Sequence, residues 1–481
     1  MRISVVIRYI GIILLVLAAF MLMSAGIAYV SNVDSSYYPL VMSSLLTLLL
    51  GCFPLIFVPT PDSISTKEGY CIVVGSWLVS SIVGMFPYLM WGGEFSVINA
   101  WFESVSGFTT TGASILNNIE ALPRGLQFWR MSTSWVGGVG VVMFALVILP
   151  SIGRSKRMLS SVELSSLAKD NFNYRTQTIV RIVLTTYVLL TVVTTVALKL
   201  AGMCWFDALC HAMSACGTCG FGTKNTSIAF FNSAAVELIL VLASCLAGLH
   251  FGLIYATITG KSNNIFRSEV SRVYFTIIGV SSVLIAISLW MSDIYPTLWL
   301  SLRSGLFHTV SFLTTSGFAT VDCNTWTSFA ILILLFCSLI CGCAGSTSGG
   351  LKVDRFLVAT KMIRTRLRAQ RHPDAIFRTK IDGVVQDESM MGTVMVYIVT
   401  FMLLILAGTF INTLLGVDLM TGFSAALACT SNVGPGFGEV GTMSNYSLMP
   451  ALMKLNSTFL MLLGRLEIFG LIQLFFIRWW R

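Results

Sequence analysis

Four fourteen-residue stretches of this chain share one design, and each ends on a glycine. They are NAWFESVSGFTTTG (Asn99–Gly112), DALCHAMSACGTCG (Asp207–Gly220), SGLFHTVSFLTTSG (Ser304–Gly317) and TGFSAALACTSNVG (Thr421–Gly434). Each opens on a residue type that caps helix N-termini, so Asn99, Asp207, Ser304 and Thr421 are the expected caps. Each then has room for two or three apolar helical turns. Six residues before the glycine stands a small residue: Ser106, Ser214, Ser311 or Ala428. Each closes on a run too rich in Thr, Ser and Gly to be helix interior.

This pattern reads as a short helix that enters a membrane, stops, and continues as an extended strand bearing a glycine. Four such hairpins around one axis would present a ring of backbone carbonyls able to replace the water around a monovalent cation. The negative ends of the four half-helices would favour positive charge at the same point. Glycine serves where the backbone must leave the φ range of L-residues. The alternative is a set of kinks or close helix contacts, where membrane proteins also place Gly, Ser and Thr. Four copies at near-regular spacing favour the ring.

Composition sets the solvent. Hydrophobic residues make up 56% of the 481 and charged residues 11%, against about 25% charged in soluble domains. The chain is therefore expected to be an integral membrane protein, with its polar backbone satisfied in helices or inside cavities. The net charge of +9 does not signal nucleic-acid binding, because the basic residues gather in particular loops. The cysteines, such as Cys52, Cys71, Cys245, Cys337 and Cys341, lie mostly in apolar runs and read as small buried hydrophobes. No cleavable signal peptide is evident.

Segments of roughly 20 apolar residues are long enough to span. An opening pair is expected near Ser4–Val30 and Tyr38–Val58. Four repeats follow, each an outer helix, a short re-entrant helix with its strand, and an inner helix. The outer helices are expected near Glu68–Trp91, Thr178–Leu200, Val270–Met291 and Gly392–Leu415. The inner ones are expected near Gly125–Pro150, Phe231–Thr259, Thr327–Ile340 (continuing to about Arg368 after a break) and Pro450–Trp480. The fold class is thus an all-α polytopic membrane protein of ten transmembrane spans and four pore helices around one pore. The expected divisions are 1–66 for the helix pair, then 67–160, 161–265, 266–385 and 386–481 for the four repeats. With the N-terminus inside, 23 of the 30 Lys/Arg fall on inner segments, among them Arg154, Lys156, Arg157, Lys169, Arg175, Arg181, Lys261, Arg267 and Arg272. This obeys the positive-inside rule, with both termini cytosolic in the cytoplasmic membrane. Glu94, Glu103, Glu120 and Asp322 are candidates for gathering cations at the outer mouth, or are simply solvated.

The stretches TTTGAS (Thr109–Ser114), CAGSTSGGLK (Cys343–Lys352) and SNVGPGFG (Ser431–Gly438) resemble the superfamily of potassium transporters that includes TrkH, KtrB and the plant high-affinity (HKT) transporters. The resemblance covers nearly the whole chain, and the opening helix pair is similar to the TrkH branch. It implies a potassium filter at Thr110, Thr111 and Gly112, at Thr218, Cys219 and Gly220, at Thr315, Ser316 and Gly317, and at Asn432, Val433 and Gly434. A glycine in all four repeats implies potassium permeation, whereas a serine in the first leans toward sodium. Thr218-Cys219 departs from the usual filter residues, and Cys219 is expected to offer only its carbonyl. The pair Cys216 and Cys219 also fits a C-x-x-C redox centre, without the βαβ context such a centre needs.

Three further stretches carry function. Gly342, Cys343, Ala344, Gly345, Ser346, Thr347, Ser348, Gly349 and Gly350 put non-helical backbone at membrane depth, which is tolerated only in buried or water-lined places. The resemblance implies a mobile gate loop below the filter; the alternative is a plain hinge. Arg465 brings a charge costing about 2.5–3.5 kcal/mol into a membrane helix, so it faces a wet cavity or a partner. The resemblance makes it a positive barrier beneath the filter; the alternative is a structural pair with another helix. The basic run Lys361–Lys380 fits anionic lipid head groups. The resemblance adds a TrkA-like cytosolic nucleotide-binding ring, and a homodimer with one pore in each subunit. Potassium is the expected permeant ion, with no organic cofactor. Sodium-coupled or sodium-permeable transport is the alternative within transport. A membrane enzyme is disfavoured by the lack of H-E-x-x-H, G-x-S-x-G or paired intramembrane aspartates. An inverted-repeat transporter would alternate its repeat orientation, which these four units do not.

Overall fold

The computed structural model describes residues 2–61, 64–151, 176–260, 264–372, 374–375 and 377–468. The expected inner-loop cations Arg154, Lys156, Arg157, Lys169, Arg175 and Lys261, the C-terminal Arg478 and Arg481, and the last part of the expected Pro450–Trp480 helix lie outside the described residues.

Two long apolar helices open the chain, α1 (Ile3–Val30) and α2 (Tyr37–Phe57). They cross where Gly11 faces Gly51. A Cβ on Gly11 would stand 2.8 Å from the Gly51 carbonyl oxygen, and one on Gly51 would stand 3.0 Å from that of Gly11. In lipid no hydrophobic drive pulls helices together, so backbone contact between small residues supplies the attraction. Arg2 reaches across to Glu68, Nε to Oε1 at 3.0 Å. Glu68 also closes a capping box with Ser65 at the start of α3, so the N-terminus is tied to the first repeat.

The element order then repeats. A long helix leads, a shorter one follows, and an inner helix completes the unit. In the first unit these are α3 (Thr66–Gly84) with α4 (Phe86–Trp91), α5 (Val97–Phe108) and α6 (Arg124–Ser151). The expected outer span Glu68–Trp91 holds as one apolar stretch, Lys67–Trp91, with its helix interrupted at Met85, where Pro87 has no amide to donate to Val83. The second unit holds α7 (Thr176–Leu200), α8 (Trp205–Gly217), α9 (Ala234–Ala247) and α10 (Phe251–Ile258). Here too the expected straight inner helix Phe231–Thr259 is broken: α9 and α10 meet at 104°. The bend falls at Gly248-Leu249-His250, where His250 caps α10 through Nδ1 to the Gly252 amide at 3.0 Å.

The third unit holds α11 (Glu269–Met291), α12 (Leu298–Leu313), α13 (Ser328–Ile340) and α14 (Val353–Arg371), with irregular chain between the last two. A two-stranded hairpin follows, β1 (Lys380–Ile381) and β2 (Val384–Val385), antiparallel and turned by Asp382 (φ 47°) and Gly383 (φ 82°). Asp-Gly between apolar residues is the strongest short-range hairpin signal, and the sequence reading passed over it. Asp382 Oδ1 accepts the Glu269 amide at 2.6 Å, and Lys361 Nζ donates to Glu269 Oε2 at 2.6 Å. The hairpin therefore joins the start of α11 to α14. The fourth unit holds α15 (Glu388–Leu414), α16 (Leu419–Ser431) and α17 (Ala451–Arg465). The described part of the expected last helix is regular to Arg465, just past which Glu467 takes φ 52°.

Among the described residues six helices are long and apolar enough to cross a membrane, and the bent α9–α10 pair passes the same test jointly. Their outward side chains are apolar: Leu49, Phe57, Val193, Val280, Leu403 and Phe410 are all exposed. Apolar surface all round is what a bilayer solvent demands. The chain is an all-α integral membrane protein. One buried apolar cluster joins the second and third units; another joins α1 with the first and fourth.

Gly51→Val forces α1 and α2 apart. Overpacking of this kind costs about 1–3 kcal/mol. A lower unfolding temperature in detergent than wild type is the expected reading.

Candidate functional site

The short helices α5, α8, α12 and α16 all end alike. Two residues before each aligned glycine the chain turns left-handed: Thr110 at φ 53°, Thr218 at 53°, Thr315 at 59° and Asn432 at 56°. The amides of these residues donate to the carbonyls of Gly107, Ala215, Phe312 and Cys429 at 2.9–3.3 Å. The next amides, of Thr111, Cys219, Ser316 and Val433, donate five residues back to Ser106, Ser214, Ser311 and Ala428 at 2.9–3.0 Å. This pair of bonds is the Schellman closure, which satisfies the last helical carbonyls and reverses the chain. The small residue six before each glycine thus accepts the second bond. The left-handed position usually takes glycine; a Cβ there costs on the order of 1–2 kcal/mol. Three threonines and an asparagine hold it here.

The helix starts differ from expectation. The caps are Ser96, Cys204, Thr297 and Asp418, each of whose side chains accepts an amide of the first turn. Asn99, Asp207 and Thr421 stand three residues inside their helices, and Ser304 seven inside. The sequence offered two suitable residues at several of these starts, and the capping pattern alone did not choose between them. Asp207 instead accepts the Thr223 hydroxyl at 2.7 Å.

The four hairpins meet. The glycines take φ 79° at Gly112, 89° at Gly220, 66° at Gly317 and 97° at Gly434. A Cβ on Gly112 would overlap the carbonyl oxygen of Cys219, one on Gly220 that of Ser316, one on Gly317 that of Val433, and one on Gly434 that of Thr111. Each glycine therefore abuts the carbonyl just before the next glycine, and the fourth returns to the first. The ring closes in chain order. All four glycines line one cavity of about 320 Å³. The C-terminal ends of four helices point into the same region, adding partial negative charge to the carbonyl oxygens. Such a ring of carbonyls has the chemistry to hold a cation stripped of water.

Below the ring, residues 341–352 run between α13 and α14 without helix. The loop touches three of the hairpins. Thr347 Oγ1 donates to the Cys216 carbonyl at 2.9 Å, the Gly349 amide donates to Thr315 Oγ1 at 3.1 Å, and Gly349 packs against Ser431 and Asn432. The break in the second inner helix receives it: the Cys343 amide donates to the Gly248 carbonyl at 2.9 Å, and Gly345 lies on the His250 ring. His250 escaped the sequence reading, though a Gly-Leu-His-Phe-Gly interruption of an apolar run was its signal. The start of α14 holds the loop: Asp354 accepts the Ala344 amide at 2.6 Å, and Lys352, just before the helix, donates Nζ to the Ser348 carbonyl.

Arg465 is buried at the end of α17 beside this loop. It donates to the Thr347 carbonyl at 2.7 Å and to the Gly137 carbonyl of α6 at 3.2 Å. Glu467 turns away to pair with Arg355, whose guanidinium also lies 3.9 Å from the Tyr397 ring centre. Cys216 and Cys219 are buried free thiols. Among the expected mouth acids, Glu94 accepts the Asn117 amide at 3.1 Å and Glu120 the Asn225 amide at 3.3 Å, so each acid braces an asparagine that lines the cavity. Asp322 caps a short turn. Glu103 does not face the mouth: it is fully buried against Arg130.

The family model for TrkH, cation transport protein, matches residues 54–479. The Trk system potassium uptake protein TrkH of Salmonella typhimurium is 34% identical over 424 residues, covering 87% of each chain. That of Vibrio parahaemolyticus is 31% identical over 493 residues and covers 100% of both. The crystal structure of the potassium transporter TrkH from Vibrio parahaemolyticus superposes with a TM-score of 0.90 at 30% identity, again over 100% of both chains.

Gly220→Ala meets both a left-handed backbone and the Ser316 carbonyl, so a loss of at least about 1–2 kcal/mol is expected. Gly392→Ala, in a helix with open space around it, is the control and leaves the melting temperature unchanged or slightly raised.

Proposed function

The chain belongs to the TrkH family of cation transport proteins, and from that premise we propose that it takes up potassium through the ring of four hairpins. The observation that carries this reading is the cyclic contact of each glycine with the next hairpin's carbonyl, all four glycines opening on one cavity. A potassium ion at the filter would be held by carbonyls of Thr111, Cys219, Ser316 and Val433, with Thr110, Thr218, Thr315 and Asn432 one step below. The side chain of Cys219 is not needed. The names of the relatives, potassium uptake proteins, support the choice of ion.

The remaining assignments follow from this one. Ten spans and four pore helices fall into an opening pair, 1–66, and four repeats, 67–160, 161–265, 266–385 and 386–481. Both termini lie in the cytosol. Residues 342–350 form the gate: the loop is buried under three of the hairpins and hydrogen-bonded to two of them. Arg465 places a guanidinium beneath the filter, where it repels cations and, through the Thr347 carbonyl, pins the loop. Opening requires that bond to break. A TrkA-like nucleotide-binding ring docks on the basic segment 361–380 from the cytosol, beside anionic lipid, and two subunits pair with one pore each.

Purified protein in liposomes is expected to take up potassium and rubidium well ahead of sodium. An absence of cation flux, with the cytosolic partner supplied, would overturn the reading. Gly112→Ser should shift the ratio toward sodium. Deleting residues 345–349 should raise the flux; unchanged flux in a folded deletion variant would make the segment a plain hinge. Arg465→Gln should raise single-pore conductance, and a folded variant that conducts less would assign Arg465 a structural role only.

A further inference from the structure

Behind the filter, one position of the short helices recurs. Nine residues before the glycine stand Glu103, His211, His308 and Ala425. Two of these reach back over their own hairpin to the strand beyond the glycine. Glu103 Oε2 accepts the amide of Ile115, three residues past Gly112, at 3.1 Å. His308 Nε2 accepts the amide of Thr320, three past Gly317, at 3.4 Å. In the fourth unit Ala425 has nothing to offer, and its neighbour Ser424 takes over: Ser424 Oγ accepts the amide of Phe437, three past Gly434, at 2.8 Å. In the second unit the His211 ring lies on Gly222, two past Gly220, with Nε2 buried and unpartnered.

The first unit alone uses a charge. Glu103 and Arg130 form an ion pair at 2.6 Å with both side chains wholly buried. Arg130 extends the tie to the second hairpin. Its guanidinium lies 4.1 Å from the Phe221 ring centre and donates to the Gly222 carbonyl at 3.5 Å. Ser114 joins the pair, donating to Glu103 Oε1 at 3.0 Å and accepting from Arg130 Nη2 at 3.2 Å. The Ser114 carbonyl in turn accepts the Tyr446 amide at 2.8 Å, and Tyr446 Oη donates to the Gly434 carbonyl at 3.3 Å. One buried pair therefore links the strands of hairpins one, two and four.

We propose that Glu103 and Arg130 are positioning residues that set the filter's width, and with it the preference for potassium over a smaller cation. The inference rests on the ring being the ion path. A buried pair is weak evidence for stability, since well-packed apolar residues of similar volume commonly replace it without loss. Its hydrogen bonds go to the backbone and side chains that flank the filter glycines, where a shift of a few tenths of an ångström changes carbonyl spacing. The pair touches no ion itself and acts through Ser114, Ile115 and Gly222.

The test uses two variants of the full chain in liposomes, with rubidium and sodium uptake measured separately. Ser114→Ala removes the hydroxyl shared by both partners. The double replacement Glu103→Leu with Arg130→Met removes the pair and keeps the volume. Both are checked for wild-type melting temperature and elution. The rubidium-to-sodium ratio is expected to fall about tenfold in the double variant, the equivalent of one lost hydrogen bond to a charged group. A smaller fall in the same direction is expected for Ser114→Ala. A wild-type ratio in the folded double variant overturns the proposal and leaves the pair a packing element. If the double variant does not fold, the Ser114→Ala ratio decides. A wild-type protein with no cation flux would instead defeat the ion-path reading on which the proposal rests.

Discussion

The structure depends on where backbone carbonyls go when no water is present to receive them. A membrane interior tolerates free carbonyls only around a cavity or an ion. Here four hairpins turn theirs toward one another, and each oxygen stands where the neighbouring glycine lacks a side chain. The contact is mutual: no hairpin can be moved without opening a gap on one side and a collision on the other. The long outer helices, the backs of the short helices and the broken inner helices hold that arrangement in register.

The inner helices show a second consequence. Where a straight helix would satisfy its own backbone, three of the four inner helices end or break near the ring: α9 at Gly248, α13 at Cys341 and α17 at Arg465. The groups released at these breaks satisfy one another. Gly248 and Ala247 carbonyls take the Cys343 and Thr347 amides, and the Thr347 carbonyl takes Arg465. The loop below the ring is thus a set of exchanged hydrogen bonds between broken helices.

Much of this was legible in the residues. The four glycines, the small residue six positions earlier and the apolar spans mark the repeats, because each answers a backbone requirement that few residue types meet. The interrupted third inner helix announced itself through its glycines and hydroxyls. What escaped were features settled by tertiary partners. The helix starts moved because Ser96, Thr297 and Asp418 were as suitable as the expected caps, while Cys204 is a residue type that capping preferences do not favour. Glu103 read as a mouth acid because its partner Arg130 is 27 positions away. The second inner helix looked continuous because Gly248 and His250 sit within an otherwise apolar run, although the glycine and the capping histidine both mark the bend. Pro87 and Asp382-Gly383 were local signals, passed over because hydropathy dominated the reading of those segments.

The closure of the ring by a single polypeptide has an outcome of its own. In a channel assembled from identical subunits, any change is imposed on every quadrant at once. Here the quadrants carry different residues in equivalent roles: glutamate, two histidines and a serine behind the strands, and threonine or asparagine at the left-handed turns. Each side can therefore change in sequence on its own, and a single substitution starts a distortion in one quarter of the aperture that its two neighbours must then accommodate. The geometry of such a ring can be adjusted in small steps, and asymmetry becomes a property that selection is free to use.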